Sequence, residues 1–245
     1  MNSKTQKILE TPIRFSYLSP TDSFLKSIND NDSCVEISNR RGILVENAYH
    51  KQNIPGSIPQ IFIRKFLFQK LLESLESLLP DYGFVIFDGY RSIELQRGLY
   101  QSIRNSLKLK FPHLSEKELA LETKKFVAHP DEPGYFEVPP HLSGGAIDIG
   151  LICQGKILDM GAPFDDLTEK ASTDFFEKNF DPSYGIDEKS WIDFRKNRRL
   201  LFHSLTSVGF TNWKHEWWHF DIGNCVWSQE LGIPWIYGPM ETQEK

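Results

Sequence analysis

His141-Leu142-Ser143-Gly144-Gly145-Ala146-Ile147-Asp148-Ile149-Gly150-Leu151-Ile152 is the stretch on which the fold turns. From Gly145 to Ile152 its pattern alternates as a strand does. Asp148 lies inside that strand between two isoleucines, where a carboxylate is expensive to bury unless it is paired or bound to a cation. The plain alternative is an Asp on the outward face of a half-buried strand. His141 stands seven residues earlier, behind Pro139-Pro140, which stiffen the approach. Gly144 and Gly145 let the backbone turn sharply or pass close to another group.

Towards the N terminus, Phe84-Val85-Ile86-Phe87 reads as a short buried strand ending in Asp88-Gly89-Tyr90-Arg91, and Ser92 can cap a helix over about 93–108. Ile61 to Leu79 has apolar residues at helical spacing and is stopped by Pro80-Asp81-Tyr82-Gly83. Ser115 and Glu118 have capping-box spacing, which predicts a helix that ends before His129-Pro130. Pro130 to Pro140 and Met160 to Asp166 read as loops. Trp191 to Val208 is helical in pattern and closed by Gly209; Trp217 to Ile222 reads as a late strand. Residues 1–58 read as an irregular extension. Helices mixed with non-alternating strands predict an α+β fold, and no domain boundary interrupts residues 1–245.

A second polar cluster, His215-Glu216-Trp217-Trp218-His219-Phe220-Asp221, combines imidazole and carboxylate in an aromatic setting. Such ligands suit zinc, and tryptophans can wall water out of a site. An aromatic core strand with polar ends is the bland reading. The run also spells H-E-x-x-H, the helical signature in which both histidines share one face. Two adjacent tryptophans and a following Phe-Asp-Ile-Gly read better as a strand, so His215 is not expected as a ligand. In a regular strand Glu216 and His219 would face opposite ways, so Glu216 needs a bend or a lead-in turn to reach the same side.

The net charge of −5 argues against nucleic acid as the main partner. No apolar run approaches the ~18 residues of a membrane span. The polar start MNSKTQKILE shows no secretory pattern. Cys34, Cys153 and Cys225 are odd in number and far apart, which predicts small buried side chains in a reducing, cytoplasmic setting.

Four ordered motifs now carry a resemblance: Asp88-Gly89-Tyr90-Arg91; H-x-x-G-x-A-x-D from His141 to Asp148; Met160-Gly161-x-x-Phe164-Asp165; and Glu216-Trp217-Trp218-His219-Phe220. With Asn197-Arg198-Arg199-Leu200, they make residues from about 60 to 225 similar to the D-alanyl-D-alanine dipeptidases, zinc enzymes of vancomycin resistance and D-Ala-D-Ala salvage. The resemblance implies one zinc per chain on His141, Asp148 and His219. It implies Glu216 as catalytic base, Arg91 as stabiliser of the tetrahedral intermediate, and Asp165 near the substrate ammonium. The fold it implies is shared with D-Ala-D-Ala carboxypeptidases and the hedgehog domain: an antiparallel sheet carrying the metal, with helices packed behind. Pro139 stands where many dipeptidases have Ser, and Ile149-Gly150-Leu151 where Leu-Thr-Leu is common.

Zinc would bring bound water from a pKa of ~15.7 toward ~7. Arg91 alternatively forms a salt bridge with Asp88 at a turn; Asp165 alternatively caps a helix. The expected partner is a small dipeptide. The rivals are a D,D-carboxypeptidase or cell-wall endopeptidase on the same scaffold, a non-catalytic hedgehog-like zinc module, and the H-E-x-x-H protease.

Overall fold

The computed structural model describes residues 3–124, 126–131 and 138–240. The chain begins with α1 (Ser3–Glu10), α2 (Asp22–Ser27), β1 (Cys34–Ile37), β2 (Ile43–Val45), α3 (Ala48–Lys51), β3 (Ile61–Arg64) and α4 (Lys65–Ser77). There follow β4 (Tyr82–Asp88), α5 (Ile93–Lys110), α6 (Glu116–Thr123), β5 (Ala146–Cys153) and β6 (Lys156–Ile157). The last elements are α7 (Glu188–Thr206), β7 (Thr211–Asn212), β8 (His219–Asp221) and α8 (Cys225–Leu231).

The main sheet runs β2-β4-β5-β8-β7, with β6 paired to the end of β5. The strands that carry the polar clusters are antiparallel, and only the edge strand β2 joins in parallel, against β4. This is an α+β fold whose sheet is mixed at one edge. Alternation sends Ile147, Ile149 and Leu151 of β5 into one core with Phe84, Ile86 and Phe220. Leu67 and Leu71 of α4 and Leu201 and Leu205 of α7 complete that core. Each such fully buried aliphatic side chain stabilises the fold by ~1.5–3 kcal/mol relative to exposure. The same alternation leaves Asp148, His219 and Asp221 together on the opposite face.

Several boundaries differ from the sequence reading. Ile61 to Arg64 is a strand and not the first turn of a helix, because its β-branched residues pair with β1. The described part of the expected irregular extension, residues 3–58, is not irregular throughout: it supplies α1, α2, β1, β2 and α3. The late strand is shorter than expected, since residues 214–218 form turns before β8. Helix α6 has its capping box and ends at Thr123, before His129-Pro130 as expected. Of the loop expected over Pro130 to Pro140, positions 132–137 lie outside the described residues. Cys34 is exposed and the other two cysteines are half-buried, so none is a fully buried core residue.

Candidate metal centre

The registers of β5 set Asp148 opposite Asp88 on one side and His219 on the other. His141 arrives from a 3-10 turn, Pro140–Ser143, closed by Gly144 in the left-handed conformation at φ 70°. Its Nδ1–H donates to the Gly89 carbonyl at 2.6 Å. A carbonyl only accepts, so the tautomer is set and Nε2 keeps its lone pair for the cluster. Gly89 itself runs so close to β3 that a Cβ would stand 2.5 Å from the Phe62 carbonyl oxygen.

His219 is oriented in the same manner. Its Nε2–H points at Asp221 Oδ1, 3.1 Å away, which frees Nδ1 to face inward. His219 Nδ1 lies 3.1 Å from His141 Nε2 and 3.0 Å from Asp148 Oδ1. The third side, His141 Nε2 to Asp148 Oδ1, is 3.3 Å. The three residues are buried and form the candidate cation cluster among the described residues. In a tetrahedral site with bonds of ~2.0–2.1 Å, neighbouring donors stand ~3.3 Å apart. The donor chemistry and the spacing of this triangle therefore fit such an ion.

Arg91 ties the cluster to its surroundings. Nε donates to Asp88 Oδ2 at 2.5 Å and Nη2 to Asp148 Oδ2 at 3.0 Å. Nη2 also reaches the Tyr49 hydroxyl at 3.1 Å, and the guanidinium carbon lies 5.0 Å from the Tyr49 ring centre. The Asp88 salt bridge thus exists, but it is buried and shared with Asp148. Tyr49 passes the chain of bonds on, its hydroxyl donating to Asp165 Oδ1 at 3.3 Å. Asp165 has φ 61° and caps no helix; Thr168 caps the 3-10 turn that follows.

Glu216 occupies the turn between β7 and β8, with Oε2 4.0 Å from His219 Nδ1. The turn resolves the facing problem of a regular strand. His215 points elsewhere: it is exposed, non-helical and packed on Trp213, so the H-E-x-x-H helix does not exist. Tyr49, Arg91, His141, Asp165, Glu216 and His219 share a cavity of about 790 Å³.

The sequence profile of the D-Ala-D-Ala dipeptidase family, a peptidase family, matches residues 67–231, more than half of the chain. The chain belongs to that family. Curated relatives named D-alanyl-D-alanine dipeptidase are similar to it: one from Synechocystis sp. at 26% identity over 163 residues, 63% of this chain and 65% of the relative. Another, from Enterococcus faecalis, is 28% identical over 58% of this chain and 62% of its own length. A third, from Escherichia coli, is 35% identical over 34% of this chain and 37% of its own length. The aligned stretches cover less than two thirds of these relatives. In this D-Ala-D-Ala dipeptidase family member, Arg91, His141, Asp148, Asp165, Glu216 and His219 all fall within the matched stretch, and Tyr49 falls outside it.

Charge in the site is finely balanced. Burial opposes a charge on Asp148, but His141, His219 and Arg91 outweigh it and hold this carboxyl far below its usual range. Burial likewise opposes a charge on His219, and Asp221 and Asp148 overcome it; the pocket attracts positive charge. Burial pushes Glu216 up, and it pushes Asp165 up to about 7 with repulsion from Asp148 and Glu216 added. Tyr49, Asp88 and Asp221 were not singled out as site residues from sequence. Asp221 carried a signal, the i, i+2 spacing after His219 that puts both on one face. Tyr49 carried none. No helix of the described residues is long and apolar enough to cross a membrane.

Proposed function

We propose that this chain is a zinc peptidase that hydrolyses D-alanyl-D-alanine or a closely related dipeptide. The observation that carries the reading is a triangle of oriented donors, His141 Nε2, Asp148 Oδ1 and His219 Nδ1, with the carboxylate of Glu216 standing free of it beside an open cavity. Zinc held there would polarise the peptide carbonyl and acidify water toward a pKa of ~7.

The chain's own groups do the rest. Glu216 takes the water proton and hands it to the leaving amine; its raised pKa suits a base that must also serve as an acid. Arg91 directs its remaining donors at the developing oxyanion, since Nη1 makes no hydrogen bond among the described residues. Asp165 pairs with the substrate ammonium. Trp218 lines the cavity with Asp165 and Glu216 and is backed by Phe164, 5.4 Å away between ring centres, which would help keep water from that side. The presence of Glu216 and Arg91 favours an enzyme over a zinc-binding module. We take residues 1–245 as one unit, because β2 is bonded into the main sheet and α1 packs on α7. Free cysteines suit a reducing, cytoplasmic setting.

A second reading, a carboxypeptidase or endopeptidase on the same scaffold, is favoured by cavity size. Its 790 Å³ lies in the ~300–1,000 Å³ range of sites for ligands larger than two alanines. Assay of the purified protein on D-Ala-D-Ala, L-Ala-L-Ala and a blocked pentapeptide separates these. The expected result is cleavage of D-Ala-D-Ala, lost with chelator and restored by zinc. Indifference to chelator would sink the metal reading; cleavage of the blocked peptide alone would support the second. Glu216→Gln should retain zinc yet lose ~10²-fold or more in turnover. Loss of the metal would make Glu216 a ligand.

A further inference from the structure

The turn that carries Glu216 is braced from outside by a junction centred on Asn212. This side chain is fully buried on β7, the edge strand of the main sheet. Its Nδ2 donates to the carbonyls of Glu216 at 3.2 Å and His219 at 2.9 Å, and its Oδ1 accepts from the Thr173 hydroxyl at 2.7 Å. Both carbonyls, which also accept the His219 and Trp213 N–H groups, can only accept, so it is Nδ2 that faces them and the carboxamide has one orientation. The Asn212 backbone is satisfied by one atom. The Tyr17 hydroxyl accepts its N–H at 3.0 Å and donates to its C=O at 3.1 Å. An edge strand buried in this way would otherwise leave both groups unpaired.

The segment 171–173 completes the brace. Thr173 N–H donates to Lys214 O at 2.9 Å, and Trp217 N–H donates to Ala171 O at 2.9 Å. The turn from Trp213 to His219 is therefore gripped by two chain segments remote from it. Tyr17 belongs to neither the turn nor the stretch matched by the family profile.

We propose that Tyr17, Asn212 and Thr173 are positioning residues that set the turn bearing Glu216 and His219, so that the N-terminal segment supports the chemistry without touching substrate. The claim that this matters for turnover rests on the peptidase reading above; the claim about the turn does not. Thr173→Val removes the hydroxyl with little change in shape and leaves the buried Asn212 Oδ1 without its donor. Tyr17→Phe strands the Asn212 backbone groups. Thr173→Ser keeps the hydroxyl and serves as the rescue.

Hydrogen exchange of the zinc-loaded protein, read by mass spectrometry over residues 211–222 and over β5, tests the turn directly. Tyr17→Phe and Thr173→Val should speed exchange over 211–222 about tenfold or more and leave β5 unchanged. On D-Ala-D-Ala, kcat should fall about tenfold or more with KM and zinc content held, and Thr173→Ser should restore both readouts. Unchanged exchange over 211–222 in both variants overturns the proposal, and so does faster exchange with unchanged kcat. Should Thr173→Val fail to fold, Tyr17→Phe, a half-buried position, carries the same readouts. If the wild-type chain cleaves no peptide, exchange alone decides the positioning and the peptidase reading fails separately.

Discussion

Asp221 has no contact with the cavity, yet it decides how His219 faces it. The carboxylate takes the His219 Nε2–H and, at 2.6 Å, the Asn224 Nδ2–H, all within a fully buried pocket. Asp221→Asn keeps the shape and removes the negative charge that makes the ring a stronger donor. Zinc affinity measured by chelator competition should fall ~10–100-fold; an unchanged affinity would show that Asp221 only packs. Arg91 makes the complementary case. Its fork bonds Asp88, Asp148 and Tyr49 at once, which a lysine ammonium cannot copy. Arg91→Lys should lower kcat by ~10²-fold while KM changes little. A normal kcat would mean that the guanidinium is structural. At this scale much was legible in sequence: a carboxylate flanked by isoleucines, and imidazoles among tryptophans, are expensive arrangements that need a cation or a partner. Tyr49 was not legible, because its place beside Arg91 depends on a fold-back of distant chain that leaves no local pattern.

At the scale of elements, the N-terminal segment is fastened to α7 through a half-buried ion pair. Arg199 donates to both oxygens of Glu177, at 2.7 and 2.5 Å, and to the Leu9 carbonyl at 2.9 Å. Glu177 also accepts the Ile13 N–H at 3.1 Å. Burial works against the Glu177 charge, but Arg199 and the Ile13 amide prevail and lower its pKa below the ordinary 4.5. A carboxyl with a depressed folded-state pKa adds stability that is complete above 4.5 and is lost as pH falls through the lowered value. Glu177→Gln should therefore lower Tm at neutral pH and flatten its decline below pH 4.5, read from thermal melts across pH. A decline as steep as the wild type's would show that Glu177 contributes nothing to acid sensitivity. This fastening was beyond the reach of periodicity. So was the boundary at Ile61 to Arg64, where four residues fit either a helical face or a strand and the partner strand β1 decides. By contrast α5, α6 and β5 are legible through caps at Ser92 and Ser115 and the alternating run around Asp148.

At the scale of the whole molecule, the cavity draws its walls from α3, α5, the loop around Asp165 and the turn at Glu216, so substrate size is a property of the assembled fold. A dipeptidase must bind a free ammonium, which loses water on entry and needs a paired partner. Burial and the neighbouring carboxylates push Asp165, like Glu216, toward neutrality, and a bound ammonium would relieve that repulsion. Its position is held through Tyr49 by the same Arg91 that orients Asp148. Acetylating the substrate amine removes the charge and leaves Asp165 without its partner. Breaking one side of a buried charged pair costs about 3–5 kcal/mol, more than a hundredfold in rate. Acetyl-D-Ala-D-Ala should accordingly be cleaved more than ~10²-fold slower than the free dipeptide. Asp165→Ala should damage cleavage of the free dipeptide by a similar factor and slow the acetylated one little further, because the two changes remove the same interaction. If acetylated or longer peptides were cleaved as fast as the free dipeptide, the wide cavity would be the better guide to substrate, and the chain would act as a carboxypeptidase or endopeptidase through the same cluster.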